Sequence, residues 1–109
     1  MELVARLLAE GQSLLNDNEP EKALACFDQA LALDPKHAET LIKKADALEK
    51  LDRFEEAIAC YDDAIAADNS MTIAYLHKGG LFNRMSRYEE ALQCYEHALH
   101  THDQRTAST

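Results

Sequence analysis

Three cysteines are the first residues in this sequence whose chemistry suggests a site. Cys26, Cys60 and Cys94 stand in three similar alanine-rich segments, EKALACFDQAL, EEAIACYDDAI and EEALQCYEHAL. Three thiols together are able to bind a metal ion or to supply a disulfide. The interval from the first cysteine to the second equals that from the second to the third (60 − 26 = 94 − 60 = 34). A regular interval of this kind is equally typical of a segment that has been duplicated.

Histidines near the end of the chain form a second candidate group. His97, His100 and His102 lie close together, and Cys94 stands three residues before His97. That spacing places two ligands on one face of a helix, but a structural zinc site needs a full tetrahedral set, and no second pair lies nearby in the sequence. We predict no metal site here and interpret these histidines as polar residues of a helix end.

Catalytic sequence patterns are missing as well. The chain has no glycine-rich phosphate loop and no nucleophile-elbow motif. The acidic pairs Glu55–Glu56 and Asp62–Asp63 fall on the outer face of a predicted helix, where they are typical of solvated charge. We therefore predict a protein that is not an enzyme and that carries no cofactor.

Composition sets the broad class. The 109 residues are rich in alanine, leucine and charged residues and include only 3 glycines and 2 prolines, which favours an all-α fold. A net charge of −9 argues against nucleic acid and against an anionic membrane as partner. No apolar run approaches the ~20 residues of a transmembrane helix, and no signal-peptide pattern is present, so we predict a cytoplasmic location.

The period set by the cysteines extends through most of the chain. Small, aromatic and aliphatic residues recur at the same interval, and within each period they are spaced as on one face of a helix. Each repeat therefore divides into two amphipathic helices. The predicted first helices span about 3–16, 38–50 and 72–84, and the predicted second helices span about 20–33, 54–67 and 88–100.

Two local signals refine these helices. Asp34 and Pro35 are predicted as the N-cap and the first helical residue of the second repeat. Gly11, Ala45 and Gly79 share one column, and small residues there allow two helix backbones to approach closely. Because glycine costs a helix up to ~1 kcal/mol relative to alanine, we attribute the two glycines to packing that leaves no room for a side chain.

The pattern resembles the tetratricopeptide repeat, a helix–turn–helix unit whose length of about 34 residues equals the period found here. The resemblance runs from about Val4 to about Thr101. One departure is a column in which many members have leucine and this chain has Glu10, Lys44 and Lys78. The resemblance implies a right-handed α-solenoid and a single domain over 1–109, with repeats at 4–37, 38–71 and 72–105 and a polar C-terminal tail at 101–109.

A solenoid of this family implies a scaffold for protein binding, in which a partner peptide or helix lies in the concave groove lined by the first helices. Leu8, Ile42 and Leu76 share one aliphatic column in these helices, with Ile73 beside it. Nearby cations would suit acidic groups on the partner. The predicted partner-binding residues are Leu8, Gln12, Ile42, Lys43, Asp46, Lys50, Ile73, Leu76, His77, Asn83 and Arg84.

Some members of the family bind the acidic carboxyl-terminal tail of heat-shock chaperones through a clamp of Lys, Asn and Arg side chains. The clamp columns map onto Leu8, Gln12, Lys43, Ile73 and His77 in this sequence. Two of the required cations are replaced by aliphatic residues. We therefore predict weak or no binding of such a tail.

An alternative function is self-association. Many members of the family end with a helix that covers the last repeat, but the segment HTHDQRTAST is polar and short. Leu92, Tyr95 and Leu99 on the last helix would then have an uncovered flank. The alternatives are a homo-oligomer that pairs through this helix, or a fragment of a larger multi-repeat protein.

The predicted architecture also answers the question of the cysteines. They occupy equivalent positions on three second helices, and a first helix separates each pair. Neighbouring helix axes lie ~8–10 Å apart, whereas a disulfide needs Cα atoms within ~7 Å. We therefore predict neither an internal disulfide nor a shared metal, and we interpret the thiols as small apolar residues of the packed face.

Overall fold

A computed structural model describes the backbone of residues 2–107 and the side chains of residues 2–101. This part of the chain consists of six α-helices and contains no strand. Consecutive helices pair within each repeat, which confirms an all-α helical-repeat solenoid. The helices are α1 (Glu2–Asn16), α2 (Pro20–Leu33), α3 (Ala38–Lys50), α4 (Phe54–Ala67), α5 (Thr72–Arg84) and α6 (Tyr88–Ala107).

The last helix is longer than predicted. The sequence pattern predicts an end near residue 100, but α6 continues to Ala107 and includes most of the predicted polar tail. The sequence THDQRTA contains no glycine or proline that would end a helix. Ser108 and Thr109 of that tail lie outside the described residues, as does Met1.

The predicted N-cap of the second repeat is wrong, although α3 begins at Ala38 as predicted. The backbone N–H of Asp34 donates to the carbonyl of Ala30 at 2.9 Å, so Asp34 ends α2 and does not cap α3. The N-cap of α3 is His37, whose Nδ1 accepts the N–H of Thr40 at 3.3 Å. Pro35 therefore lies in the turn between the two helices, because the chain has to reverse direction before α3 begins.

One tight turn joins the two helices of every repeat. Asn18, Asp52 and Ser86 have φ angles of 61°, 59° and 62°, in the left-handed region. Each turn is closed by a hydrogen bond from the next residue to the carbonyl five residues earlier, as in the Schellman motif. These bonds are Glu19 N–H to Leu14 at 2.8 Å, Arg53 N–H to Leu48 at 2.9 Å and Arg87 N–H to Phe82 at 2.8 Å.

The aromatic residue of each second helix packs on the first helix of its own repeat. A Cβ at Gly11 would lie 2.4 Å from Cε1 of Phe27, and a Cβ at Gly79 would lie 2.7 Å from Cε1 of Tyr95. Both distances are too short for a side chain. The close helix approach predicted at the two glycines is therefore confirmed.

Neighbouring repeats meet at two similar junctions, where α3 packs on α2 and α5 packs on α4. In both junctions the approaching helix contributes fully buried residues at positions i and i+7 and a lysine between them at i+4. The lysine pairs with an aspartate of the preceding repeat. These residues are Thr40, Lys44 and Ala47 in α3, and Ala74, Lys78 and Leu81 in α5.

The three cysteines are buried and are free thiols. Burial raises the pKa of Cys26, Cys60 and Cys94, because it disfavours the charged thiolate. They are only 5–8% exposed, in agreement with their predicted place on the packed face. Their role in the structure is packing on the second helices.

Candidate functional site

The first helices line one side of the solenoid. The backbones of α1 and α3, and those of α3 and α5, approach each other, whereas within the described residues the backbone of α4 approaches neither that of α2 nor that of α6. A groove of about 650 Å³ lies along this side. Seven of the eleven predicted partner-binding residues line it: Gln12, Lys43, Asp46, Lys50, Leu76, His77 and Arg84.

The floor of the groove contains a hydrogen-bonded network centred on Asp46. The Tyr61 hydroxyl donates to Asp46 Oδ1 at 2.6 Å, and His77 Nδ1 lies 3.0 Å from the same oxygen. The hydrogen bond with Asp46 is the main cause that raises the pKa of His77. Burial and the carboxylate raise the pKa of Tyr61 well above its usual range, so the phenol stays protonated.

A second acidic residue in the groove is also paired within the chain. Glu49 forms an ion pair with Arg84 of the next repeat, and its side chain is largely buried. Together with the Asp46–His77 contact, this pair links α3 to α5 across the groove. The carboxylates of the groove are therefore occupied by His77, Arg84 and the Tyr61 hydroxyl.

Two lysines of the groove lack such partners. Lys43 and Lys50, both on α3, form no ion pair with any residue between 2 and 101. Both lie at the groove wall. They are the cations of this surface that are available to an acidic group on a ligand.

Uncharged residues complete the groove at both ends. Gln12 donates to Asn16 Oδ1 at 3.0 Å, while its own Oε1 is buried with no hydrogen-bond partner in the described part. At the other end, Leu76 and Ile73 are 46% and 47% exposed and share a second cavity of about 480 Å³. The site therefore combines amides, free ammonium groups and an apolar patch.

The predicted aliphatic column does not form a continuous exposed surface, and the assignment of Ile42 to the groove is wrong. Ile42 is 3% exposed and belongs to the core, because repeats on both sides cover it. Leu8 is half-buried and packs against the cluster around Phe27. Of this column only Leu76 is exposed, and Asn83 is exposed without lining the groove.

Sequence reasoning missed several groove residues. Tyr61 stands at the aromatic position of the repeat, which predicts a packing role alone. The Tyr61 hydroxyl nevertheless reaches the groove floor. Glu49 is the partner of Arg84, and 35 residues separate the two in the sequence. The signal that could have found Glu49 is its position three residues after Asp46, on the same face of α3. The other missed residues are Leu15, Gly80 and Leu81.

The candidate self-association residues lie on the outer face of α6. Leu92 and Leu99 are 58% and 62% exposed, and Tyr95 is 39% exposed. Nearby, the ring of His97 contacts that of Tyr75 at a centroid distance of 5.4 Å. No cluster of three metal-ligating residues occurs among the described residues, and the side chain of His102 lies outside them.

The sequence matches the model of the tetratricopeptide repeat family over residues 8–72 and again over residues 42–107. The two matches together cover most of the chain, which therefore belongs to this family. Domains of the family are generally non-enzymatic interaction modules. No helix in the described residues is long and apolar enough to cross a membrane.

Solved structures with the same fold include MamA, at 18% identity and a TM-score of 0.87, covering 95% of this chain and 61% of that one. The TPR2B domain of yeast Sti1, in a pHsp70 complex, has 23% identity and a TM-score of 0.90 over 100% of this chain and 87% of the domain. The second TPR of Spaghetti (RPAP3), bound to the HSP90 peptide SRMEEVD, has 25% identity and a TM-score of 0.81, covering 89% and 90%.

These structural similarities do not all support the same conclusions. Those to MamA and Sti1 show the fold alone, and this chain spans less than two thirds of the MamA chain. No curated protein is similar enough in sequence to count as a match.

Proposed function

We propose that this chain is a non-enzymatic interaction module that binds a peptide or helix of a partner protein in the groove lined by α1, α3 and α5. The observation that carries the proposal is the state of the charges in that groove. Asp46 and Glu49 are paired within the chain, while Lys43 and Lys50 have no partner in the described part. A ligand therefore meets free cations and no free carboxylate.

The chemistry of the groove indicates the kind of peptide that fits. A carboxylate near Lys43 or Lys50 would form a charge-assisted hydrogen bond. An aliphatic side chain would bury the exposed surface of Leu76 and Ile73. We therefore propose a peptide whose acidic groups are reached by Lys43 and Lys50 and whose aliphatic residue lies on Leu76 and Ile73. Such a peptide does not need the further cations that a chaperone tail would require at Leu8 and Ile73. The second TPR of Spaghetti, which has this fold, holds a peptide containing two adjacent glutamates.

The chaperone tail itself is a poor fit in our proposal. Leu8 and Ile73 cannot pair with a carboxylate, and His77 is already engaged by Asp46. We expect the peptide SRMEEVD to bind this chain with millimolar affinity or not at all. Calorimetric titration measures this directly, and micromolar binding would show that the clamp prediction is wrong.

A heptapeptide library tests the groove. We expect it to select peptides with Asp or Glu and an aliphatic residue, and we expect Lys43→Glu with Lys50→Glu to abolish that selection. Leu76→Glu should remove the aliphatic preference alone. Lys36→Glu, an exposed change in the turn before α3, is the matched control for charge. Circular dichroism and urea denaturation check that every variant folds.

Ile42 is left unchanged in this test, because a charge at that buried position would unfold the protein. If the Lys43→Glu, Lys50→Glu protein selects the same peptides as the wild type, the groove proposal is wrong. Lack of catalytic activity, lack of a cofactor, lack of nucleic-acid binding and cytoplasmic location remain part of the proposal, supported by the family, by the missing motifs and by the charge of −9.

A further inference from the structure

The two repeat junctions use the same recognition pattern. Lys44 Nζ of α3 lies 2.9 Å from Asp28 Oδ1, and Lys78 Nζ of α5 lies 2.5 Å from Asp62 Oδ1. In both cases the lysine is mostly buried by the junction. The hydrogen bond with Asp28 is the main cause that raises the pKa of Lys44. Both junctions therefore combine an apolar contact with one buried-stem lysine that reaches an acid.

The outer face of α6 has the acceptor half of this pattern. We define the α6 face as Leu92, Tyr95, Glu96 and Leu99, which stand one repeat period after Ile58, Tyr61, Asp62 and Ile65 of α4. Tyr61 is 0% exposed because α5 covers it, whereas Tyr95 is 39% exposed. The face thus has the form of a repeat junction that no helix of the described residues approaches.

Glu96 supplies the charge that identifies the helix this face would accept. It stands in the column of Asp28 and Asp62, whose partners are lysines, and it forms no ion pair with any residue between 2 and 101. An acid in the middle of an apolar face selects a helix with a cation at the matching place. The remaining two positions are set by the buried residues of the existing junctions.

We propose that the α6 face binds an amphipathic helix of a partner protein that presents a small or aliphatic residue at i, a lysine at i+4 and a small or aliphatic residue at i+7. Its lysine pairs with Glu96, and its apolar residues cover Leu92, Tyr95 and Leu99. This surface is separate from the groove, so the proposal stands or falls independently of the peptide proposed for Lys43 and Lys50.

A second copy of this chain fits the face poorly. The three positions that would approach in a head-to-tail stack are Arg6, Glu10 and Ser13 of α1, all exposed and polar. Glu10 would meet Glu96, which places two carboxylates together. In a symmetric pairing of two α6 helices, the segment from Tyr88 to Thr101 offers glutamates and no lysine or arginine. Like charges of this kind disfavour self-association.

The natural probe is the helix that fills the first junction. A labelled peptide of residues 37–51, HAETLIKKADALEKL, carries Thr40, Lys44 and Ala47 in the required spacing. Fluorescence anisotropy with the full chain should show saturable binding. Leu92→Ser with Leu99→Ser should abolish it, and both positions are exposed enough to leave folding intact, which urea denaturation checks.

A charge exchange makes the test specific. Glu96→Lys should weaken binding of the peptide by roughly fivefold to tenfold. This is about the combined effect of losing one exposed ion pair and of placing two lysines together. The peptide with Lys44→Glu should bind the wild type equally weakly and should regain affinity for Glu96→Lys. The protein with Lys43→Glu, altered in the groove, should bind the peptide like the wild type.

Three results would overturn the proposal. One is the absence of saturable binding up to millimolar peptide, and another is binding that does not change with Leu92→Ser and Leu99→Ser. The third is a concentration-dependent dimer in sedimentation that the same two substitutions disperse, because the occupant of the face would then be a second copy. A wild type that stays monomeric while the charge exchange restores binding supports a partner helix.

Discussion

The two ends of this solenoid are built from the same repeat, yet they face the solvent with opposite chemistry. At the first end, the junction positions of α1 are Arg6, Glu10 and Ser13, all polar and exposed. At the other end, α6 exposes Leu92 and Leu99. A terminal repeat needs a polar outer face to remain soluble by itself. Among the described residues, the junction positions meet that requirement in α1, whereas α6 exposes two leucines there.

The aromatic residues at equivalent positions of the three second helices, Phe27, Tyr61 and Tyr95, show the same difference between the two ends. Phe27 and Tyr61 are each covered by the next repeat, while Tyr95 packs on Gly79 of its own first helix and is 39% exposed. The side chains and local geometry are nearly equal, so neighbours alone cause the difference in burial. Three experiments use this column and the groove to break or sharpen the comparison.

The largest expected effect is in the aromatic residues themselves. Tyr61→Ala should lower the free energy of unfolding by about 3–5 kcal/mol, because it removes a fully buried ring and leaves a cavity. Tyr95→Ala should lower it by about 1–2 kcal/mol, since that ring is partly hydrated already. Urea denaturation measures both. Equal losses would mean that the end repeat is as well covered as the middle one.

The glycines give a smaller and more selective effect. Gly11→Ala should destabilise by about 1–3 kcal/mol, because the new Cβ meets the enclosed ring of Phe27. Gly79→Ala should cost clearly less, because Tyr95 is partly exposed and its ring has space to move. Thermal or chemical denaturation compares the two.

Gly80 provides the matched control for the glycine pair, because a Cβ there has nothing within 4 Å. Gly80→Ala should stabilise by about 0.5–1 kcal/mol through helix propensity alone. A larger loss at Gly79 than at Gly11 would contradict the comparison of the two ends.

The smallest expected effect is a pH dependence confined to the second junction. The pKa of His77 is raised in the folded state, chiefly by its hydrogen bond with Asp46. Its stabilising contribution should therefore be complete below about pH 6.5, the usual pKa of histidine, and should be lost as pH rises through the raised pKa. Because His77 is partly exposed, the change in stability is modest.

Unfolding of the wild type and of His77→Gln between pH 5 and pH 9 would measure this dependence. The difference between the two proteins should shrink as pH rises, and it should disappear in an Asp46→Asn background. A difference that grows with pH would contradict the assignment. The first junction has no histidine at this place, since Lys43 occupies the column of His77.

Most of the fold could be predicted because the 34-residue period determines where each helix begins and ends. One unbroken interval aligned every packing column, so five helices were bounded to within one residue. The errors lie where local signals competed. Asp34 and Pro35 are typical of a helix start, but the carbonyl of Ala30 accepts the N–H of Asp34, so Asp34 belongs to the end of α2. The end of α6 was misplaced because no glycine or proline after residue 100 indicates where the helix continues or stops.

The site was predicted only in part, because alignment by columns treats all repeats as equal. Leu8, Ile42 and Leu76 share a column, yet only the middle residue is covered by repeats on both sides and so becomes core. The pairing of Glu49 with Arg84 depends on distances between repeats. Such pairings decide which charges are free for a ligand, and composition and spacing do not contain them.

The left-handed turn shared by Asn18, Asp52 and Ser86 has a consequence for how the array changes length. The same turn within repeats and the same lysine–aspartate contact between them would both survive the removal of a whole repeat. If the middle block, residues 38–71, were excised, Lys78 would face Asp28, which is the kind of pairing already present. Removing that block would therefore keep the lysine–aspartate contact, but it would place Gln12 and Leu15 where His77 and Arg84 now meet Asp46 and Glu49, so the charges of the groove would change together with its reach.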